Sequence, residues 1–252
     1  MRIAQISDTH ILTPDSDQAA SPIRADNLRR CVAEINRQSP DIVIHTGDMV
    51  QNGDPREYAY LRSILAPLKA PLCVVPGNRD EKAAARAAFA DLGLFPATGE
   101  FLHYSLEDYP VRLVGLDSVG PNERKGHFCR KRQIWLEETL AQAPEKPTVL
   151  FIHHPPFDVG DHYVGGYRHG EEAMALAEVV ARHPQVIRLL CGHVHWPIEQ
   201  SWAGTTATIM PSVAVDVRKG VDEVQAQGRP LCYLHDYAIE TGLVSRFQMV
   251  GD

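Results

Sequence analysis

The chain has 252 residues, of which 44% are hydrophobic and 23% charged, a composition typical of a globular protein with a buried core. Its net charge of -7 with neutral histidines provides no general positive field, so we expect no nucleic acid as the preferred ligand. The basic cluster at residues 124–125 and 130–132 is more typical of a solvated face than of a nucleic-acid groove. No apolar run is long enough to span a membrane and no signal peptide is recognisable, which predicts a cytoplasmic protein without membrane contact.

Five short apolar runs are each followed by side chains that bind metal ions in proteins. The runs occupy residues 3–6, 42–44, 72–75, 149–152 and 186–190. A buried parallel strand reads as a continuous apolar run, and the sheets of α/β proteins bind ligands beyond the carboxyl ends of their strands. If the five strands point the same way, the side chains that follow them meet in one cleft.

Segments with a helical spacing of apolar residues separate these strands. The alternation of strands and helices predicts an α/β fold with a largely parallel sheet. After His195 the pattern changes, because residues 198–210 and 231–250 each read as a hairpin with glycine in the turn. A second sheet is therefore expected to pack on the first. Residues 211–230 are polar and without pattern, which indicates a surface excursion or a partner-contact arm.

The first two strands are followed by carboxylates. Asp8 and His10 are two residues apart, so in an extended segment both side chains point to the same side and reach one ion. Asp48 follows Gly47, a pattern that alone is typical of a turn. A carboxylate has two oxygens, however, and Asp48 is therefore a candidate to bridge two ions about 3.5–4 Å apart.

The third strand is followed by Gly77-Asn78-Arg79-Asp80, which without other evidence is a turn leading into a helix. In a metal site the Asn78 carbonyl is a ligand, and Arg79 beside it meets a phosphate group with two hydrogen bonds. Asp80 is expected to act as a helix N-cap or as an acceptor behind the ligands.

Histidines follow the last two strands of the set. His153 and His154 precede two prolines that fix the backbone, and His193 and His195 stand two residues apart after Gly192. Each motif alone is a weak signal, since such pairs also occur by chance on protein surfaces. All five motifs nevertheless stand at the same end of successive apolar runs, which indicates a shared site for two metal ions.

The motifs together resemble those of the calcineurin-like metallophosphoesterase superfamily in order and spacing. The matching positions are Asp8-x-His10, Gly47-Asp48, Gly77-Asn78-x-Asp80, His153 and Gly192-His193-x-His195. More narrowly, the chain is similar to the class III cyclic nucleotide phosphodiesterases and their glycerophosphodiesterase relatives. That likeness rests on residues 47–58, 116–118 and 153–157, and the resemblance as a whole covers residues 1–215.

The resemblance implies a four-layer α/β/β/α sandwich, in which two mixed sheets are flanked by helices. It also implies two divalent metal ions of iron, manganese, cobalt or zinc. The first would be held by Asp8, His10, Asp48 and His195, and the second by Asp48, Asn78, His153 and His193. We divide the chain into a catalytic domain at 1–212 and a C-terminal extension at 213–252, which is either integral to the fold or contributes to a cap or dimer contact.

The implied enzyme is a metal-dependent phosphodiesterase, a hydrolase that cleaves a small diester such as a cyclic nucleotide or a glycerophosphodiester. A hydroxide that bridges the ions attacks phosphorus in line with the leaving group. Asp48, Asn78 and Arg79 are the predicted catalytic residues. The alternatives are a phosphomonoesterase or nuclease of the same superfamily, or a non-catalytic scaffold, which the complete ligand set disfavours. A homodimer or higher homo-oligomer is a further expectation.

One position departs from the family pattern. Most relatives carry histidine where this chain has Arg79, and that histidine is generally thought to contact the phosphate and to assist the leaving group. Arginine stays charged at ordinary pH and does not donate a proton, so the resemblance leaves protonation of the leaving group unassigned. Substrate contacts are expected from Arg79, His154, Arg168 and His169. For His154, an alternative role is to support the metal ligands from behind.

Overall fold

The computed structural model describes residues 1–121 and 124–251 and contains two mixed sheets. The strands are, in chain order, β1 (Arg2–Ile6), β2 (Ile42–His45), β3 (Leu72–Val74), β4 (Tyr104–Leu106), β5 (Arg112–Leu116), β6 (Thr148–Ile152), β7 (Val186–Cys191), β8 (Ile198–Trp202), β9 (Thr205–Ile209), β10 (Leu231–Ala238) and β11 (Gly242–Met249). The helices are α1 (Ala20–Gln38), α2 (Pro55–Leu65), α3 (Lys82–Ala88), α4 (Arg130–Ala141), α5 (Gly170–Ala181) and α6 (Glu223–Ala226), with a short 3-10 helix at Ala90–Leu92.

The first sheet has the strand order β11-β10-β1-β2-β3. Its strands β1, β2 and β3 run parallel, and β10 pairs with β1 in the antiparallel direction. The second sheet has the order β4-β5-β6-β7-β9-β8, with parallel pairing from β5 to β9 and antiparallel strands at both edges. The five apolar runs are therefore divided between the sheets, with three in the first and two in the second.

The alternation of side chains along the strands builds four layers. In β2, Ile44 packs between the two sheets, whereas Val43 packs with residues of α1 and α2. In β6, Phe151 packs between the sheets and Leu150 packs with residues of α4 and α5. Because the inner strands are covered on both faces, strands such as β2 and β6 are buried throughout. The predicted α/β/β/α sandwich of two mixed sheets is confirmed.

Two helices next to the strand ends begin with side-chain caps. Asp54 accepts a hydrogen bond from the first turn of α2, where Pro55 supplies a backbone angle that suits the helix. Glu81 caps α3 in the same way by accepting from two amides of its first turn. The expectation that Asp80 caps this helix is therefore wrong.

The C-terminal hairpin belongs to the first sheet, because β10 lies between β1 and β11. The alternation in β11 predicts that Leu243, Ser245 and Phe247 share a buried face. Leu243 is buried, but Phe247 is 45% exposed, because β11 is the outermost strand of its sheet. A homodimer or cap contact through this hairpin stays a prediction.

The polar segment between β9 and β10 does not run over the surface at its start. Val213 is fully buried, and Ser212 Oγ donates to the backbone carbonyl of Asp8 at 2.7 Å. Farther along, Asp216 forms an ion pair with Arg24 at 2.7 Å. The prediction of a surface excursion or contact arm is wrong for this part, since the chain passes beside the β1 strand end and forms part of its surroundings.

Candidate metal centre

Five of the seven predicted ligands have a left-handed backbone conformation at the carboxyl ends of the strands. Positive φ angles between 47° and 70° are found at Asp8, His10, Asp48, His193 and His195. Such angles are uncommon outside glycine and persist where the surrounding structure holds them. Here the amides of Asp8 and His10 donate to the carbonyls of Gly47 and Asp48, each at 3.0 Å. The expectation that ligands two residues apart share an extended segment is therefore wrong.

Two glycines allow the strand ends to approach one another. A Cβ at Gly77 would lie 2.2 Å from the amide nitrogen of Asp48 and 2.4 Å from its Oδ1. A Cβ at Gly192 would lie 2.1 Å from Ser7 Oγ and 2.7 Å from Asp8 Oδ2. These distances are far inside van der Waals contact, so a larger residue at either position would displace a carboxylate.

A first group of donor atoms is formed by Asp8, His10 and His195. His195 Nε2 lies 3.2 Å from Asp8 Oδ1 and 3.3 Å from His10 Nε2. His10 Nε2 in turn lies 3.8 Å from Asp48 Oδ2. The Asp8 carboxylate is fully buried, and Ser7 Oγ donates to its Oδ2 at 2.6 Å. Its Oδ1 is the oxygen that faces both imidazoles.

A second group of donor atoms is centred on His153. Its Nε2 lies 3.4 Å from Asp48 Oδ1, 3.2 Å from Asn78 Oδ1 and 3.2 Å from His193 Nδ1. Asp48 thus turns Oδ1 toward this group and Oδ2 toward His10 of the first group. The structure brings all seven predicted ligands together and sets the Asp48 carboxylate between the two groups.

Hydrogen bonds behind the cleft fix which ring nitrogens point into it. His153 Nδ1 donates to the Thr46 carbonyl at 2.8 Å, and His195 Nδ1 donates to the Val217 carbonyl at 3.0 Å. In the neutral rings Nε2 then directs a lone pair into the cleft. These lone pairs meet carboxylate and amide oxygens rather than donors, so the arrangement fits a cation. Imidazole, carboxylate and amide ligands suit iron, manganese, cobalt or zinc.

The buried carboxylates of Asp8 and Asp48 favour positively charged groups in the cleft. Burial disfavours the charged form of His153, yet Asp48 outweighs it and raises the pKa of His153 to about 9. Against burial, Asp8 likewise raises the pKa of His195. Burial lowers the pKa of His193 to about 3, so this ring is neutral at pH 7 and keeps a lone pair. A metal ion would replace the proton that His153 otherwise binds at pH 7.

The sequence matches a known family across the whole of this cleft. The family model "Calcineurin-like phosphoesterase" matches residues 1–197, which include every predicted ligand. The chain belongs to the calcineurin-like phosphoesterase family. A probable glycerophosphodiester phosphodiesterase, GpdQ of Arcobacter nitrofigilis, is 32% identical over 259 residues, covering 100% of this chain and 94% of the relative. The 3',5'-cyclic adenosine monophosphate phosphodiesterase CpdA of Escherichia coli is 31% identical over 221 residues, covering 86% of this chain and 78% of the relative.

These similarities confirm the resemblance stated from the motifs, including its branch, because both kinds of phosphodiesterase are among the relatives. The prediction of a phosphodiester-cleaving hydrolase is confirmed with it. A dimetal phosphatase from Danio rerio has a similar structure, with a TM-score of 0.75 and 14% identity, covering 100% of this chain and 99% of that chain. At this identity the likeness shows the fold alone. Within residues 1–121 and 124–251, no helix is long and apolar enough to cross a membrane.

Arg79 of this phosphoesterase lies beside the cleft, next to Asn78. Its backbone amide donates to Asp48 Oδ1 at 2.7 Å, and its side chain is half-buried in the wall of a pocket that Asn78 shares. Its guanidinium has no hydrogen bond or ion pair with any residue that the structure describes. A cation therefore stands beside the predicted ligands with its donors unused.

His154 lies behind the ligands, and both of its ring nitrogens are engaged. Nε2 donates to the Arg124 carbonyl at 3.1 Å, and Nδ1 accepts from Ser118 Oγ at 2.8 Å. Its ring is 4.5 Å from that of His193, centroid to centroid. The nitrogens of His154, His153 and His193 are close enough to hold an ion, but the two hydrogen bonds leave His154 no lone pair for one. Its full burial fits support from behind rather than the predicted contact with substrate.

Arg168 and His169 stand at the start of α5, where both are exposed. The Arg168 amide donates to the Gly126 carbonyl at 2.8 Å, which ties this loop to the neighbouring one. The His169 ring lies 6.5 Å from that of His127, centroid to centroid. The substrate contacts expected from Arg168 and His169 stay predictions.

Sequence reasoning missed the groups that orient the ligands. The Thr46 and Val217 carbonyls hold two imidazoles, and Ser7 and Ser212 hold the Asp8 carboxylate and its backbone. A backbone carbonyl acts in the same way whatever its side chain, so its role leaves no trace in the sequence. The position of Ser7 directly before Asp8 is a signal that was available.

Asp80 is the acceptor that joins the loops after β2 and β3. It accepts from the Gly77 amide at 2.8 Å, the Met49 amide at 3.2 Å and the Tyr58 hydroxyl at 2.9 Å. Burial, with Asp48 nearby, raises the pKa of Asp80 to about 7 against the effect of these hydrogen bonds. Asp80 therefore takes the second of its two predicted roles and holds the ligand loops from behind.

Tyr58→Phe removes the hydroxyl that donates to Asp80 and accepts from the Glu81 amide at 3.1 Å. We expect the free energy of unfolding to fall by about 1–3 kcal/mol, because buried polar groups lose their partner. Urea denaturation at pH 7 measures the change. Tyr60→Phe on the same helix is the matched control, since the Tyr60 hydroxyl meets Arg29 at the surface. Equal losses in the two variants would contradict the role given to Tyr58.

Proposed function

We propose that the protein is a dinuclear metal-dependent phosphodiesterase that hydrolyses small phosphodiesters. The observation that carries this proposal is the position of Asp48, whose two oxygens face two separate groups of donor atoms. In the proposed assignment one ion is held by Asp8, His10, Asp48 and His195, and the other by Asp48, Asn78, His153 and His193. Bound divalent ions would lower the pKa of a water molecule and polarise the phosphoryl oxygens.

The chain itself supplies charge and fixed geometry to this reaction. The buried carboxylates of Asp8 and Asp48 supply the negative charge that retains two cations. The carbonyls of Thr46 and Val217 prevent the rings that they hold from turning. A site whose groups are oriented before the substrate binds needs little reorganisation as charge develops, which is the main electrostatic source of rate enhancement.

Arg79 is proposed to contact the phosphate. Its guanidinium is half-buried beside Asn78 and has no partner among the described residues, so two of its donors can meet two phosphate oxygens. In that position it stabilises negative charge on the oxygens that are not cleaved. It does not protonate the leaving group, because arginine keeps its proton at ordinary pH.

The proposed substrate is a cyclic nucleotide or a glycerophosphodiester. The support comes from the similarity to relatives of both kinds over most of the chain. Arg168 and His169, exposed on the loop before α5, are proposed to meet the outer part of that substrate. A panel of cyclic AMP, glycerophosphodiesters and single-stranded DNA tests the proposal on protein of measured metal content. Cleavage of DNA alone would favour a nuclease, and no cleavage at full metal loading would favour a scaffold.

Diesters are expected to be cleaved in preference to monoesters, by about tenfold or more in kcat/KM, which corresponds to about 1.4 kcal/mol. A diester carries one negative charge, and Arg79 meets that charge from the protein side. The comparison is bis(p-nitrophenyl) phosphate against p-nitrophenyl phosphate at matched metal loading. A clear preference for the monoester would identify a phosphatase instead.

A further inference from the structure

A pocket of about 310 Å³ opens beside the metal-binding cleft. Arg79 and Arg124 line it together with Asn52, Asn78 and the two acidic residues Asp80 and Glu81, and we call it the arginine pocket. Because Asn78 is also one of the proposed metal ligands, the arginine pocket and the cleft share a wall. An ester arm of a diester bound in the cleft would therefore have the arginine pocket within reach.

The two guanidinium groups of this pocket meet no partner in the part of the chain that the structure describes. Neither Arg79 nor Arg124 has a side-chain hydrogen bond or ion pair within the described ranges, 1–121 and 124–251. The carboxylates nearby are already engaged, since Glu81 caps α3 and Asp80 accepts from three amides and from Tyr58. The hydrogen bonds direct the Asp80 and Glu81 oxygens to other donors, whereas the donors of Arg79 and Arg124 meet no acceptor among the described residues and can bind an anion.

The backbone of Arg124 is fixed even though its side chain is exposed. Its carbonyl accepts from His154 Nε2 at 3.1 Å, and His154 is fully buried directly after a proposed ligand. Two residues farther on, Gly126 pairs with Val119 through a β-bridge. A Cβ at Gly126 would lie 2.9 Å from the Cβ of His154, so the two backbones are in close contact. The loop therefore presents Arg124 at a defined place, with its side chain exposed as the prediction of a solvated face implies.

We propose that the arginine pocket binds an anionic group, a carboxylate or a phosphate, on one ester arm of the substrate, and that Arg124 selects for this charge. The inference rests on the proposed phosphodiesterase function. The single negative charge of a phosphodiester is met by Arg79, so the unpaired charge of Arg124 matches a second one. The volume of about 310 Å³ admits a short acidic arm.

A neighbouring pocket, which also has Glu81 and Val119 in its wall, does not offer the same charge. Lys82 and Arg132 line it, but Lys82 Nζ lies 2.8 Å from Asp117 Oδ2, and an Arg132 nitrogen lies 3.9 Å from Asp117 Oδ1. Asp117 is fully buried and meets both cations. The unpaired charge therefore lies nearer the cleft, at Arg79 and Arg124, within reach of a short arm.

The test uses three substrates that release the same p-nitrophenol and differ in the other arm: p-nitrophenyl esters of ethyl phosphate, 2-carboxyethyl phosphate and 2-phosphonoethyl phosphate. Wild type and Arg124→Ala are compared with Lys125→Ala, which removes the same charge one residue away, from a different pocket. We expect Arg124→Ala to lower kcat/KM by about 10–100-fold for an acidic arm, and by less than about threefold for the ethyl arm. Lys125→Ala should change none of the three by more than about threefold. The two acidic arms distinguish a carboxylate from a phosphate.

Several outcomes would overturn the inference. Equal losses on ethyl and acidic arms would assign Arg124 to the cleaved phosphate, and equal losses in Lys125→Ala would show a general field. If the wild type cleaves no diester, the proposed phosphodiesterase function is refuted, but anion binding in the arginine pocket is not. In that case calorimetry measures the binding of 2-carboxyethylphosphonate and ethylphosphonate to metal-loaded protein. The proposed pocket is supported only if wild type binds the carboxylate compound more tightly and Arg124→Ala loses this preference.

Discussion

Asp48→Asn is expected to lower turnover by at least about 1000-fold and to reduce the metal bound at both positions. The two oxygens of Asp48 face His153 on one side and His10 on the other, at 3.4 and 3.8 Å. An amide has one oxygen and no charge, so one group of ligands loses its shared anion and the other keeps a weaker neutral ligand. Loss of metal from one position alone would contradict a bridging role.

Asparagine is the sharper substitution because the backbone of Asp48 has a φ of 50°. Asparagine adopts this left-handed conformation more readily than alanine, and its amide oxygen can still accept from the Arg79 amide. The fold is therefore preserved while the charge is removed. Asp26→Asn on the exposed face of α1 is the matched control. Metal content per chain and kcat/KM are measured on the same preparations, and full activity of chelator-stripped wild type would refute a metal-dependent reaction.

The clustering of the proposed ligands was predictable because each of them stands just after an apolar run in the sequence. Asp48 and His153 are far apart along the chain, yet each stands at a strand end, and the rule that such ends gather ligands brings them together. The division of the runs between two sheets was less accessible from the residues alone. Ile44 and Phe151 both face the inner layer, and strands buried on both faces look alike whichever sheet they join.

The parts that the sequence did not disclose depend on the backbone or on distant loops. The carbonyl of Val217 orients His195 from a segment that looks like a polar surface arm. The left-handed turns at Asp8 and His10 arise from hydrogen bonds to the neighbouring strand end, which no local spacing encodes. In the sequence, Arg124 is one of several basic residues in a cluster. Its place beside the cleft follows from the hydrogen bond that its carbonyl accepts from His154.

Arg79→Ala is expected to lower kcat/KM by about 10–1000-fold, the loss of a charged hydrogen bond and of part of the transition-state stabilisation. Its side chain has no partner in the described ranges and lies in the pocket that Asn78 shares, so the substitution leaves an empty space rather than a broken ion pair. Metal content should stay the same, because Arg79 contacts the ligand set through its backbone amide, which alanine keeps. The kcat/KM of Arg79→Lys should lie between those of wild type and Arg79→Ala, since lysine keeps the charge and loses the bidentate geometry.

The dependence on the leaving group distinguishes two roles of Arg79. If Arg79 acts on the non-bridging phosphoryl oxygens, Arg79→Ala lowers kcat/KM by the same factor for aryl diesters with good and with poor leaving groups. Arg30→Ala on the surface of α1 controls for the general loss of a positive charge. A defect confined to leaving groups of high pKa would instead show that Arg79 assists departure. In that case the guanidinium must act as a hydrogen-bond donor to the departing oxygen, because it does not give up its proton at ordinary pH.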